Sequence, residues 1–148
     1  MTVLYADTSA LARAYFVDEV DHRALRGLLL DGDDPVVTSE IARLELTSAV
    51  LAAARAGRVR RPATVLARLD ADCGDGGPLA LVRLDPESVL PEAHRLLQAH
   101  PLRTLDAIHL AVALVELPGL ADTTEIGFVT RDETQALAAR AEGLALAG

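Results

Sequence analysis

Thr2-Val3-Leu4-Tyr5-Ala6-Asp7-Thr8-Ser9-Ala10-Leu11 carries the chain from a short apolar run into an aspartate and then into small, hydroxyl-bearing residues. A run of that length, closed by a charge, predicts a buried strand over Thr2 to Ala6 and a helix starting near Thr8 or Ser9. Asp7 then stands at the strand's carboxyl end. Pro35 to Thr38 predicts a second strand, with Ser39 as the N-cap of a long helix reaching about Ala56 and Gly57 closing it. Leu79 to Leu84, Glu125 to Thr130 and Leu144 to Leu146 predict three more strands. Helices are expected between them, over His22 to Leu30, Pro62 to Asp72, Pro86 to His100, Thr104 to Leu117 and Asp132 to Ala141. Strands alternating with helices imply parallel neighbours joined by right-handed crossovers. The expected fold is therefore α/β, a three-layer α/β/α sandwich around a mostly parallel central sheet, forming a single domain over residues 1–148. In such sheets, sites form outside the carboxyl ends of the strands, which is where Asp7 and Asp132 fall.

The chain has 148 residues and 51% hydrophobic content, enough to bury a core without covalent staples. One cysteine, Cys73, permits no internal disulfide, and a reducing cytoplasm is the expectation. No basic segment precedes an apolar stretch at the start, and no apolar run approaches the roughly 18 residues that would span a bilayer. Neither export nor membrane insertion is expected. Net charge is −8, and all fourteen basic residues are arginine. The absence of lysine excludes a P-loop lysine, a Schiff base and the lysine of a phospho-accepting receiver domain. An acidic chain is also a poor generic binder of nucleic acid, because non-specific affinity comes from neutralising phosphates.

Four acids stand out. Asp7 and Asp132 fall at strand ends. Glu45 lies within the helix after Ser39, whose inward stripe is expected to be Ile41, Leu44, Ser48, Leu51 and Ala52. Asp106 occupies the first turn of a helix that is apolar almost all round. Taken singly, Asp7 and Asp106 also read as helix caps, Asp132 as a helix start, and Glu45 as an acid reaching solvent along its methylenes. Taken together, acids at one sheet edge and in apolar helices make those readings less attractive, while composition alone leaves convergence open. Carboxylates about 4 Å apart repel by roughly 4 kcal/mol at an effective dielectric of 20, so convergence demands protons or a cation. With no cysteine or histidine at the strand ends, an all-oxygen cluster selects a hard ion, Mg²⁺ or Mn²⁺, and the chemistry such ions serve best is phosphoryl transfer.

Four stretches carry a family likeness: Tyr5-Ala6-Asp7-Thr8-Ser9-Ala10-Leu11, Thr38-Ser39-Glu40-Ile41-Ala42-Arg43-Leu44-Glu45-Leu46, Leu102-Arg103-Thr104-Leu105-Asp106-Ala107-Ile108-His109-Leu110-Ala111 and Val129-Thr130-Arg131-Asp132. In order and spacing they resemble the PIN-domain nucleases, and among these the VapC-like toxins of type II toxin–antitoxin pairs. The resemblance implies a Rossmann-like three-layer fold and Mg²⁺- or Mn²⁺-dependent hydrolysis of RNA. It implies Asp7, Glu45, Asp106 and Asp132 as the metal-binding and catalytic quartet, with Ser9 and Thr130 as supporting hydroxyls. It further implies a small DNA-binding antitoxin of the VapB-like kind and a homodimer.

Arg55, Arg58, Arg60 and Arg61 form a basic cluster that reads either as a solvated helix end or as a phosphate-contacting patch. Arg103, three residues before Asp106, can pair with an acid or meet a phosphate. His109 is one turn beyond Asp106 but inside an apolar helix, which predicts a hydrogen-bonded structural histidine. His22, His94 and His100 share no spacing and receive no role. Leu11, Ala14, Tyr15, Leu25, Leu28 and Leu29 are expected to be mostly core. Two alternatives compete with the nuclease. A haloacid-dehalogenase-like phosphatase also starts with an aspartate after a strand, but needs a second aspartate where this chain has Ser9, and is further disfavoured by the missing lysine. The other is a non-catalytic module that keeps the fold.

Overall fold

The computed structural model describes residues 2–120 and 125–148. In chain order the elements are β1 (Thr2–Ala6), α1 (Thr8–Tyr15), α2 (His22–Leu29), β2 (Val36–Ser39), α3 (Glu40–Arg55), α4 (Pro62–Asp72), β3 (Leu79–Val82), α5 (Pro86–Ala99), α6 (Thr104–Val115), β4 (Glu125–Val129), α7 (Glu133–Ala141) and β5 (Ala145–Leu146). Every expected element is present, with ends displaced by a residue or two. Hydrogen bonding orders the strands β3-β2-β1-β4-β5, each pair parallel. The chain thus steps outward from β1 to β3 and then returns past β1 to β4 and β5.

That reversal fixes the layers. Right-handed crossovers taken in opposite directions along a sheet lie on opposite faces. One face carries Leu4 and Ala6 of β1 packed with Leu11, Leu25, Leu29, Leu46 and Leu69 from α1 to α4. The other carries Tyr5 and Phe128 packed with side chains of α5, α6 and α7, including Leu96, Leu110 and Ala138. The direction changes between β1 and β4, so a crevice opens at their carboxyl ends. Their register pairs Ala6 with Val129, which brings the two strand ends side by side, about 4.8 Å apart.

α3 corrects one expectation. Its buried positions are Ala42, Leu46, Val50 and Ala53, not the predicted stripe, and Leu44 is 73% exposed. The helix is apolar on most sides, so two stripes at spacing three and four are both available to it. Ala42 and Leu46 are the pair that join the β1 core. Glu45 still borders the buried face, one turn after Ala42. The chain leaves α3 through Gly57 at φ 78°, a backbone conformation that glycine adopts without penalty.

Candidate active site

Asp7 follows β1 directly and caps α1. Its Oδ2 accepts from the Ser9 backbone N–H at 3.0 Å and from the Ser9 hydroxyl at 2.6 Å, and the residue is only 2% exposed. Asp132 comes just after β4 and caps α7, its Oδ1 accepting the Gln135 backbone N–H at 2.7 Å. Asp106 lies in the first turn of α6, and Glu45 reaches across from α3. All four line one cleft of about 440 Å³, together with Thr8, Ser9 and Arg103. Acids drawn from four separate stretches of the sequence therefore meet in one cleft. Two of the bland readings are also true, since Asp7 and Asp132 are helix caps as well as cleft residues.

The expected supporting hydroxyls stitch the two strand ends together. Ser9 Oγ accepts the Arg131 backbone N–H at 2.9 Å, and Thr130 Oγ1 accepts the Asp132 N–H at 3.1 Å while donating to Gln135 Oε1 at 2.5 Å. Gln135, which sequence reasoning missed, is fully buried and donates from Nε2 to Asp7 Oδ1 at 3.1 Å and to the Asp106 carbonyl at 3.2 Å. Thr8 was missed too. Its hydroxyl donates to Glu45 Oε1 at 2.9 Å.

His109 is the buried, hydrogen-bonded residue expected of it, with Nδ1 2.7 Å from the Tyr5 hydroxyl. Its Nε2, however, lies 2.5 Å from Glu45 Oε1 and 3.9 Å from Asp7 Oδ1, so the histidine belongs to the cluster. The signal was its position one turn beyond Asp106. Its apolar neighbours concealed it.

Charge in the cleft is uneven. Burial, and then the charges of Asp7 and Asp132, push the Asp106 carboxyl above its ordinary range. Burial also pushes Glu45 up, but the hydrogen bond and charge of His109, with the Thr8 hydroxyl, outweigh it and hold Glu45 low. Burial lowers His109, and the Glu45 hydrogen bond with the charges of Asp7, Glu45 and Asp106 outweighs that and raises it. The cleft thus holds one histidine paired to one acid, leaving three further carboxylates with Arg103 as the nearby cation. Arg103 is 86% exposed at the mouth, its guanidinium 3.7 Å from both Asp106 Oδ2 and Asp132 Oδ2. Such an exposed pairing contributes about 0–1 kcal/mol and leaves the arginine free to exchange partners.

The donor set fits a hard divalent ion in kind, since every acid presents oxygen. Among the described residues no three His, Cys, Asp or Glu side chains are closed tightly enough to hold an ion at once. Glu45 in particular is turned onto His109. The basic cluster stands elsewhere. Arg55 is ten residues beyond Glu45, roughly 15 Å along the α3 axis. Arg58 is committed to Asp18 and Glu19 and lies over the Phe16 ring at 5.3 Å, while Arg60 and Arg61 are exposed beside it.

Fold and cleft together define an α/β domain with a four-acid pocket at the point where strand order reverses. The PIN domain family profile matches residues 4–141, and the chain belongs to that family. Nucleases of this family generally depend on divalent metal. Among solved structures, the chain is similar to Mycobacterium tuberculosis VapC20, described as a Sarcin-Ricin loop cleaving toxin. The two are 16% identical, with a TM-score of 0.66, over 97% of this chain and 98% of that one. It is also similar to VapBC2 from Rickettsia felis, solved bound to a DNA fragment from its promoter, at 14% identity and a TM-score of 0.64 over 98% and 97% of the two chains. At those identities the likeness shows a shared fold. No curated protein sequence matches. Nothing in the fold or the comparisons favours the phosphatase or the non-catalytic module. No helix among the described residues is long and apolar enough to cross a membrane.

Proposed function

We propose that this chain is a metal-dependent endoribonuclease, and that it acts as the toxin of a toxin–antitoxin pair. The observation that carries the reading is the meeting of Asp7, Glu45, Asp106 and Asp132 in one cleft at the carboxyl edge of the sheet. Four acids in so small a space are tolerable only with protons or a counter-charge. Asp7, Asp106 and Asp132 would hold Mg²⁺ or Mn²⁺, with Glu45 completing the set. When bound, such an ion supplies an activated water and neutralises charge on the phosphodiester. The chain's own residues supply the rest. Asp7 and Asp132 present oriented oxygens because their caps fix them, and Arg103 at the mouth meets a phosphate of the incoming strand. The basic cluster beyond α3 would extend that contact for a longer RNA.

VapC20, a Sarcin-Ricin loop cleaving toxin, supports RNA as substrate, and VapBC2, solved on promoter DNA, supports a small DNA-binding VapB-like antitoxin. The proposal further includes a homodimer and a cytoplasmic setting, for one domain over residues 1–148. Asp7→Asn tests the core of it. The variant keeps the cap, because an amide oxygen still accepts from Ser9, but its Nδ2 then meets the Gln135 Nε2 donor, so circular dichroism should stay close to wild type while stability falls by about 1–3 kcal/mol. Cleavage of RNA in Mn²⁺ should be lost, and the wild-type product should carry a 5′-phosphate. A folded Asp7→Asn protein that still cleaves RNA contradicts the assignment.

A further inference from the structure

The chain contains no asparagine and two glutamines, Gln98 and Gln135. Gln98 is exposed on α5. Gln135, on α7, is 0% exposed and sits among the acids. Its side-chain N–H groups meet Asp7 Oδ1 at 3.1 Å and the Asp106 carbonyl at 3.2 Å, and its backbone N–H meets Asp132 Oδ1 at 2.7 Å. One residue therefore touches three of the four acid-bearing segments: the end of β1, the first turn of α6 and the turn from β4 into α7.

The orientation of the amide is determined by its neighbours. Thr130 Oγ1 already accepts the Asp132 N–H, so its own hydrogen is available to Gln135 Oε1 at 2.5 Å. The nitrogen end must then face Asp7. Both amide hydrogens and the carbonyl oxygen are engaged, and no buried side-chain nitrogen or oxygen among the described residues lacks a partner.

A neutral donor suits this position for a physical reason. A guanidinium or ammonium here would neutralise Asp7 and compete with any cation. A fifth carboxylate would add repulsion to a cluster that already raises Asp106. An apolar side chain would strand Asp7 Oδ1, the Asp106 carbonyl and the Thr130 hydroxyl out of water. The amide satisfies all three while leaving the negative charge of Asp7 intact.

We propose that Gln135 is a positioning residue, which fixes Asp7 Oδ1 and ties together the segments that carry Asp7, Asp106 and Asp132, so that a divalent ion can draw their carboxylates onto itself. This rests on the metal-dependent reading above. Groups that orient metal ligands from behind commonly alter affinity or activity about 10–100-fold when removed.

Gln135→Met keeps length and volume while removing both donors and the acceptor. Mn²⁺ is titrated calorimetrically into the full-length protein without RNA, and kcat and KM are measured on a short RNA. The expected result is Mn²⁺ binding about 10–100-fold weaker than wild type, with kcat reduced and KM little changed. A variant that binds Mn²⁺ as tightly as wild type overturns the proposal. Wild-type protein that fails to bind Mn²⁺ overturns the metal reading and this one with it. Should Gln135→Met not fold, the wild-type chain carries the test by NMR of its two carboxamide groups, assigned through Gln98→Glu. Mg²⁺ should shift the Gln135 pair and leave the Gln98 pair in place. A Gln135 pair unmoved at saturating Mg²⁺ refutes the role.

Discussion

Replacing Tyr5 with phenylalanine removes one oxygen from the interior and leaves the ring. That ring is 0% exposed, stacked on Phe128 at 5.5 Å and set edge-on to His109 at 6.0 Å, so packing survives the change. The hydroxyl lies 2.7 Å from His109 Nδ1, and burial, then the charge of Asp7, keeps the phenol protonated. Since no buried side-chain nitrogen or oxygen among the described residues is unpartnered, the variant creates one at His109 Nδ1. An orphaned buried group costs about 1–3 kcal/mol. At roughly 3 °C per kcal/mol for a chain of this size, the melting temperature should fall by about 3–9 °C. Calorimetric melting in EDTA reads this without interference from metal. His109 also holds Glu45 at 2.5 Å, so loosening one end should reduce RNA cleavage by up to about 10-fold, the lower bound of what removing a ligand-orienting group commonly costs. A Tyr5→Phe protein that melts and cleaves like wild type refutes the idea that this buried pair anchors the cleft.

The pH dependence of the metal-free protein follows from the same groups. His109 is raised in the fold, so its contribution is complete below its unfolded value near 6.5 and is lost as pH rises through the folded one. Glu45 is lowered, so its contribution holds above about 4.3 and is lost as pH falls through the folded value. Asp106 is raised, and its ionisation costs stability as pH rises above about 3.9. Melting in EDTA should therefore be highest between about pH 4.5 and 6.5 and decline toward pH 8. A rise toward pH 8 contradicts these directions. Mn²⁺ at 100 times its Kd should stabilise wild type by about 2.7 kcal/mol, and Asp106→Asn should erase most of that gain. An equal gain in the variant removes Asp106 from the ligand set. Arg103→Ala should leave the melting temperature nearly unchanged, because the side chain is exposed, yet raise KM for RNA and flatten its salt dependence by about 0.7 in log–log slope. An unaltered salt slope dismisses Arg103 as a phosphate contact.

The fold was legible because its signals are local and repeated. β1 to β4 are short apolar runs closed by a polar residue, and Ser39, Gly57 and Asp132 mark helix ends by their own chemistry. The phase of α3 was not legible. Ile41, Leu44 and Leu51 form as good a stripe as Ala42, Leu46 and Val50, and the choice is made by which of them fits against β1 and α1. The four acids were legible as a set through the resemblance of the four stretches that carry them, since their places at strand ends and in apolar helices left convergence open. Their frame was not. Gln135 is an ordinary polar residue in a short amphipathic helix, and only the approach of α6 to α7 turns its amide toward Asp7. Thr8 and His109 were hidden in the same way, each meeting Glu45 across a long separation in sequence.

Capping and catalysis are usually weighed as rival explanations for an aspartate at a helix start. Here the capping bonds and the contacts toward the cleft use different oxygens of the same carboxylate. Asp7 gives Oδ2 to the Ser9 backbone and hydroxyl, which leaves Oδ1 on the Gln135 side; Asp132 gives Oδ1 to the Gln135 backbone, which leaves Oδ2 facing Arg103 at the mouth. A capping bond fixes the rotamer of a side chain that would otherwise sample several, and the entropy of that ordering is met when the protein folds. A carboxylate held in this way is presented to a cation with little left to order. The helix start is therefore a physical means of aiming a carboxylate, and a chain that places two such caps at the ends of adjacent parallel strands positions half of its acid cluster through the pairing of β1 with β4 alone.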